Sequence, residues 1–148
     1  MNILEEKLEL KIAKSNKDIQ ACFDIRNQVF EKEHNLSHKI QSDNKEEIAT
    51  HFLASLNGKP VGTARLYKID NNSAKISRVA VLSKYRGKQI GKYLIDLIIK
   101  HSREQGISTL ILASQSSVVG FYEGFGFKTE GDEYLDANIP HYKMYLEL

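Results

Sequence analysis

The chain has 148 residues, enough for one domain with a core that needs neither disulfides nor structural metal. Hydrophobic residues make up 41% and charged residues 27%, and 21 Lys and Arg against 19 Asp and Glu leave a net charge of only +2. That balance excludes a general nucleic-acid coat and a polybasic membrane anchor, so any anionic partner must meet a local cluster.

The single cysteine, Cys22, rules out a disulfide framework and a Cys-rich zinc site, and it suits a reducing compartment. Met1 to Leu10 carries Glu5, Glu6 and Glu9 among its apolar residues, which is not the pattern of a signal peptide. No stretch approaches the roughly 18 unbroken apolar residues that a membrane span needs. The expectation is a cytoplasmic protein.

In chain order, Leu8, Leu10 and Ile12 alternate with charged residues, the period of a half-buried strand. Ser15 followed by Asp18 resembles a capping box and opens a helix whose apolar stripe is Ile19, Cys22, Phe23, Val29 and Phe30. Ser37 to Glu47 is polar and reads as loop with a short helix. His51–Leu56 and Val61–Ile69 are strand-like, with Asn57-Gly58-Lys59-Pro60 between them as a hairpin signal. Asp70-Asn71-Asn72-Ser73 turns the chain into a strand over Lys75–Leu82.

After Arg86-Gly87-Lys88-Gln89-Ile90-Gly91 comes a helix. Ile90, Leu94, Leu97 and Ile98 form one face, and Lys92, Asp96, Lys100 and Arg103 the other. Gly106 ends it. Ile107–Ala113 reads as a short buried strand, Ser117–Glu123 as a short helix, and Phe127–Leu148 as two strands broken around Asn138-Ile139-Pro140. No repeat, low-complexity tract or linker divides the chain, so residues 1–148 are expected to be one domain. The order β-α-β-β-β-α-β-α-β-β predicts an α/β fold with a mixed sheet, antiparallel at hairpins and parallel across helical crossovers.

A strand that runs into a basic, Gly-containing turn and then a helix gathers backbone N–H groups at a positive helix end. Arg86, Lys88 and Lys92 add charge there, so the segment is a candidate phosphate seat. A Walker A loop and a Rossmann fingerprint are both absent. The residues alone leave open a surface turn with solvated lysines.

Val79-Ala80-Val81 with Tyr85-Arg86-Gly87-Lys88-Gln89-Ile90-Gly91 resembles the acetyl-CoA pyrophosphate motif of the GNAT superfamily, Arg/Gln-x-x-Gly-x-Gly/Ala. Arg86 and Gly91 match its ends, and Gln89 replaces the central glycine. A side chain there is tolerable if φ is negative and Gln89 points outward.

Gln115 and then Phe121-Tyr122-Glu123-Gly124-Phe125-Gly126-Phe127 resemble the family's Asn-x-x-Ala-x-x-x-Tyr-x-x-x-Gly-Phe stretch. The resemblance extends to an ElaA-like bacterial branch through Ile25-Arg26-Asn27-Gln28-Val29-Phe30, Glu33, His51-Phe52-Leu53-Ala54, Gly62-Thr63-Ala64-Arg65-Leu66 and Ile139-Pro140-His141.

This resemblance implies a GNAT fold with a mixed, mostly antiparallel sheet flanked by helices. It also implies acetyl transfer from acetyl-CoA to a primary amine by direct attack in a ternary complex. Val79, Ala80 and Val81 would supply backbone to the thioester. Arg86, Gly87, Lys88, Gln89, Ile90, Gly91 and Lys92 would hold pyrophosphate, and Gln115 the pantetheine. Tyr122, also a cofactor contact, would protonate the leaving thiolate; an aromatic at helical spacing is otherwise core.

Arg26 and Glu33 lie at three- and four-residue steps on the stripe expected to be buried, so each needs a partner or a cleft. They could line the acceptor site or form an ion pair with each other or around Asp24. Arg78 belongs to the implied acceptor side. Glu133, Asp136 and His141 flank the last strands where the acceptor pocket would close, and Glu33 and His141 are candidate proton carriers. His34 and His38 have metal-like spacing in a loop context that does not suit zinc, so no metal is expected.

The expected partner is a small-molecule or peptide amine, with no nucleic acid and no membrane, and a homodimer left open. Two other classes share some of these features. One is a CoA-binding sensor of the same fold without turnover. The other is a nucleic-acid module built on the Arg86–Lys92 cluster, which lacks clustered aromatics.

Overall fold

The computed structural model describes residues 6–36 and 43–148, so the expected loop over Ser37–Glu47 lies partly outside the described residues. The strands are β1 (Leu8–Ala13), β2 (Thr50–Leu56), β3 (Lys59–Lys68), β4 (Ser73–Val81), β5 (Thr109–Gln115), β6 (Lys128–Asp136) and β7 (Ile139–Glu147). The helices are α1 (Asn16–Arg26), α2 (Ile90–Glu104) and the short α3 (Val119–Glu123). Among the described residues these strands form one sheet in the order β1-β2-β3-β4-β5-β7-β6. Every neighbouring pair is antiparallel except β4 and β5, which are parallel. That exception follows from α2, because a parallel return needs a crossover. The fold is mixed α/β, as the element order predicts.

Local chemistry explains the joints. Ser15 caps α1 by accepting from the Asp18 N–H at 3.1 Å. Asn57 and Gly58 take φ of 53° and 82°, the left-handed pair that closes a two-residue hairpin, so β3 begins at Lys59, inside the expected turn. The last hairpin turns at Ala137 and Asn138, one residue earlier than the sequence suggests.

The two faces of the sheet are packed differently. On one, Ile90, Leu94, Ile95 and Ile98 of α2 are fully buried against Phe52, Ile76, Leu110 and Met144. Burying each of these side chains contributes about 1.5–3 kcal/mol. Gly62 sets how close α2 comes, since a Cβ there would stand 3.0 Å from Ile90 and 3.2 Å from Leu94. On the other face, Cys22, Ile25 and Val29 pack on Leu53 and Ala80.

After Arg26 the first helix widens into a π-helix over Asn27–Glu33, with the His34 N–H bonded five residues back to the Val29 carbonyl at 2.9 Å. The wider turn rotates every later side chain around the helix. Val29 stays buried, but Glu33 swings out to solvent. The expectation that Arg26 and Glu33 share a buried stripe is therefore corrected. No described helix is long and apolar enough to cross a membrane.

Candidate active site

The site begins where two strands part. β4 and β5 are hydrogen-bonded only from Ser73–Lys75 to Thr109–Ile111, yet they continue to Val81 and Gln115. Beyond Lys75 they diverge and leave a cleft of about 850 Å³. Near its middle β4 carries a bulge, where Arg78 and Val79 together oppose Ala64 of β3. Arg78 has φ of +55°, a strained setting for a non-glycine residue, and the bulge re-aims the peptide groups that follow it.

At one end the cleft meets the N-terminus of α2. Gly87 has φ of +81° and Gln89 has φ of +63°. The condition of a negative φ at Gln89 is thus not met: the turn keeps its left-handed shape and accepts a side chain at a cost of about 1–2 kcal/mol. No side chain caps this helix. The first helical bond runs from the Tyr93 N–H to the Gln89 carbonyl at 3.1 Å, so the N–H groups of Ile90, Gly91 and Lys92 have no helical acceptor. Gly91 lies under Phe121, whose ring would stand 3.6 Å from a Cβ there.

The basic side chains of this turn already hold carboxylates. Arg86 donates from Nε to the Val81 carbonyl at 3.0 Å and from both terminal nitrogens to Glu33, with Nη2 2.7 Å from Oε2. That bidentate pair holds the Glu33 carboxyl below its usual range and pushes the Arg86 guanidinium up. Lys88 Nζ lies 2.6 Å from Glu6, and Lys92 Nζ lies 3.0 Å from Asp96.

At the other end stand Tyr122, Gln115 and His141. Tyr122 is 8% exposed, with its ring edge-on to Phe121 and Phe127. Burial pushes its hydroxyl up to about 12, so it stays a proton donor at neutral pH. Gln115 and His141 face each other across the β5–β7 ladder. His141 Nδ1 lies 2.7 Å from the Ile139 carbonyl, and a carbonyl can only accept. In the neutral ring Nδ1 therefore carries the proton and Nε2 can accept. The ring stacks on Tyr134 at 6.0 Å. Asp136 and Ala137 line the same wall.

Behind β4 lies a buried charge cluster. Arg65 is 1% exposed, and its Nε donates to Ser77 Oγ at 3.0 Å. Its terminal nitrogens clasp Asp43 at 2.9 and 2.8 Å and Glu46 at 2.8 Å. Arg78 reaches the same Asp43 carboxylate at 3.4 Å. The Arg65 hydrogen bonds hold Asp43 at about 2, against an ordinary 3.8. Arg26 is buried beside this cluster, with Nη2 2.9 Å from His51 Nδ1 and Nη1 3.5 Å from Glu46. Desolvation brings Arg26 down to about 10.

The acetyltransferase (GNAT) domain family matches residues 11–148. This chain belongs to the GNAT acetyltransferases. A Bacillus subtilis protein described as an acetyltransferase is 33% identical over 140 residues, covering 93% of this chain and 95% of the relative. The crystal structure of Escherichia coli ElaA superposes with a TM-score of 0.84 at 24% identity, covering 94% of this chain and 99% of that one. A GNAT family acetyltransferase from Elizabethkingia anophelis, solved with acetyl-CoA bound, superposes with a TM-score of 0.75 at 18% identity, over 95% of this chain and 98% of that one. The GNAT assignment makes the chain a member of a family of transferases that act with acyl-CoA.

In this GNAT fold, one cleft gathers Arg78, Val79, Ala80, Val81, Arg86, Gly87, Gln89, Ile90, Gly91, Lys92, Gln115, Tyr122 and His141. It does not gather the rest. Lys88 is not part of its lining and pairs with Glu6. Glu33 lines a smaller neighbouring cavity of about 480 Å³. Glu133 is exposed on β6 and accepts from Ser116 Oγ at 2.7 Å. Arg26 pairs with Glu46 and His51, neither with Glu33 nor at the cleft.

Sequence reasoning missed Arg65, Asp43 and Glu46 as a unit. The available signal was Arg65 itself, a charged residue on the same strand face as buried Thr63 in an apolar run. Among the described residues no group of three or more His, Cys, Asp or Glu could hold a metal ion.

Proposed function

We propose that residues 1–148 act as one domain that transfers an acetyl group from acetyl-CoA to the primary amine of a small molecule or peptide, by direct attack in a ternary complex. The observation that carries this reading is the diverging β4–β5 pair with an uncapped α2 N-terminus at one end and buried Tyr122 at the other.

The N–H groups of Ile90, Gly91 and Lys92 meet pyrophosphate, and the helix end adds its positive dipole. Gly87 and Gln89 shape that turn, while Arg86, Lys88 and Lys92 supply charge around it. Gln115 at the end of β5 meets the pantetheine arm. Backbone at Val79 to Val81, re-aimed by the bulge, polarises the thioester carbonyl and stabilises the oxyanion that develops there.

An alkylamine with pKa ~10.4 is almost wholly protonated at pH 7 and must lose a proton before it attacks. His141, with Nε2 available as acceptor, takes that proton. The amine nitrogen then bonds to the thioester carbon, and the carbon–sulfur bond breaks. Tyr122 delivers its proton to the departing thiolate and recovers one from the acceptor nitrogen, which sheds its second N–H proton as the amide forms. Arg78 touches the acceptor directly. Arg26 and Glu33 act at one remove, Arg26 through Glu46 and Glu33 through Arg86, and Glu133 does so through Ser116.

Tyr122→Phe tests the proposal, because it removes the hydroxyl and keeps the packed ring. Acid catalysis contributes roughly 10²–10⁴-fold, and a thiolate of pKa ~8.5 leaves readily, so kcat should fall by about 10²-fold. The acetyl-CoA Kd should stay the same. Equal kcat values for the two proteins would take the acid role from Tyr122. Because its hydroxyl stands near 12, no fall in kcat below pH 10 should trace to Tyr122.

A further inference from the structure

β6 and β7 do not pair in a single register. Lys128, Thr129 and Glu130 stand opposite Tyr145, Met144 and Lys143, whereas Tyr134, Leu135 and Asp136 stand opposite His141, Pro140 and Ile139. Between these runs three residues of β6, Gly131, Asp132 and Glu133, face Tyr142 alone, so β6 carries two extra residues there. Continued unbroken, the first register would set Asp132 opposite His141. The bulge sets Tyr134 there instead. Two features build it. Gly131 has φ of +78°, a setting that glycine takes without strain, and Glu133 accepts from Ser116 Oγ, just past β5, at 2.7 Å.

The exchange changes the chemistry beside His141. A carboxylate facing the imidazole would favour its charged form and take away its capacity to accept a proton. The Tyr134 ring faces it as a flat plate, with 6.0 Å between centroids and 29° between planes, inside the roughly 4.5–7 Å of packed ring pairs. Burial, and then the Asp136 carboxylate, push the Tyr134 hydroxyl up against the opposing charge of Lys143, so the plate is neutral at neutral pH. The imidazole is thus held twice. The Ile139 carbonyl fixes it in its own plane through Nδ1 at 2.7 Å, and Tyr134 covers one face and limits its tilt. His141 lines the cleft and Tyr134 does not.

From this arrangement we infer that Tyr134 is a positioning residue: its ring, delivered by the β6 bulge, holds the His141 imidazole with Nε2 toward the cleft, and it touches neither acetyl-CoA nor the acceptor. The inference rests on the transferase reading above, in which His141 takes the proton of the attacking amine, and adds the residue that keeps that base in place.

Two measurements test it, one of them independent of turnover. The full chain, labelled with nitrogen-15, is compared by NMR with Tyr134→Phe, Tyr134→Ala and His141→Gln, whose missing signals identify the His141 ring. At about pH 8, where an ordinary imidazole is neutral, the wild type and Tyr134→Phe should show one tautomer, Nδ1 protonated and Nε2 bare. Tyr134→Ala should show shifts averaged between both tautomers. Tyr134 is 41% exposed, so its truncation leaves the core in place. A single tautomer retained in Tyr134→Ala overturns the inference.

The second measurement is CoA release with the fastest acceptor among phenethylamine, spermidine, glucosamine 6-phosphate and a lysine-containing peptide. Tyr134→Ala should lose about 10- to 100-fold in kcat, the cost of a slightly misplaced reacting group, with the acetyl-CoA KM unmoved. Tyr134→Phe should stay within about threefold of the wild type, because the ring and not the hydroxyl does the holding. In the His141→Gln background Tyr134→Ala should cost nothing further, since the two side chains act as one unit. A fully additive loss there, or a loss in Tyr134→Phe as large as in Tyr134→Ala, overturns the inference. Wild-type kcat in His141→Gln removes the base assignment instead, and the role of Tyr134 with it. Where none of the four amines is used, the tautomer measurement decides by itself.

Discussion

The two ends of the cleft are built by different means. The end at α2, where we propose that phosphate binds, is made of main chain: a left-handed turn at Gly87 and Gln89 and three N–H groups at an uncapped helix. All of it comes from one stretch of the sequence, residues 83–92. The other end, with the charge cluster behind its β4 wall, is made of side chains brought from α1, the segment after it, and strands β2 to β7. Arg26, Asp43, Glu46, His51, Arg65, Arg78, Asp136 and His141 span more than a hundred positions. Backbone recognition tolerates side-chain change, and on the proposed reading it would let Gln89 stand where the motif has glycine. Side-chain recognition does not, because removing one charge strands its partners.

The largest test of this contrast is Arg65→Ala. It deletes a fully buried guanidinium that ties Asp43, Glu46 and Ser77 together. Its carboxylate partners are 30% and 40% exposed and stay partly hydrated, so losing these charge-assisted hydrogen bonds should cost about 1.5–3 kcal/mol in chemical denaturation. A change under about 1 kcal/mol would mean that the clasp is not structural.

The same clasp should be visible in acid. Asp43 stands at about 2 in the folded protein against an ordinary 3.8, so its folded value is depressed. Its contribution is then fully present above pH 3.8 and is lost as pH falls through about 2. In Asp43→Asn, stability measured by denaturant at pH 4.5 and pH 2.5 should fall less with acid than in the wild type. Parallel acid losses in both proteins would assign the titration elsewhere.

A smaller effect is expected at Glu33. Its bidentate hold on Arg86 is partly exposed, with side-chain exposures of 33% and 43%, and such pairs contribute about 0–1 kcal/mol. Glu33→Gln releases Arg86 toward phosphate and should tighten acetyl-CoA by up to about fivefold in a calorimetric titration. Weaker binding would mean that Glu33 presents Arg86 to the phosphate.

The smallest effect is Gln89→Gly. Glycine removes the left-handed strain but gains freedom in the unfolded chain, so stability should shift by no more than about 1 kcal/mol. Acetyl-CoA affinity should stay within about tenfold. A larger loss would show that the Gln89 side chain, and not its peptide, makes the contact.

Legibility in the sequence follows the same division. Element order could be read because hydrophobic period, Asn57-Gly58, and the capping Ser15 act over a few residues. The Arg86–Gly91 turn could be read for the same reason. The widening after Arg26 could not, since a π-turn leaves the apolar spacing looking helical while it rotates Glu33 away from Arg26. The positive φ at Gln89 was hidden because the position carries a side chain that usually avoids it. The Arg65 clasp was hidden because its carboxylates stand 22 and 19 residues away in a polar stretch. Only the assembled fold brings them together.

The most direct test of the central claim is a calorimetric titration of acetyl-CoA into the wild type and into Arg78→Gln, with melting curves of both. The account predicts saturable one-to-one binding by both proteins, with Kd values within about threefold. It also predicts stabilisation of about 2.7 kcal/mol at a hundredfold excess over Kd. No heat and no change in melting temperature in the wild type would contradict it.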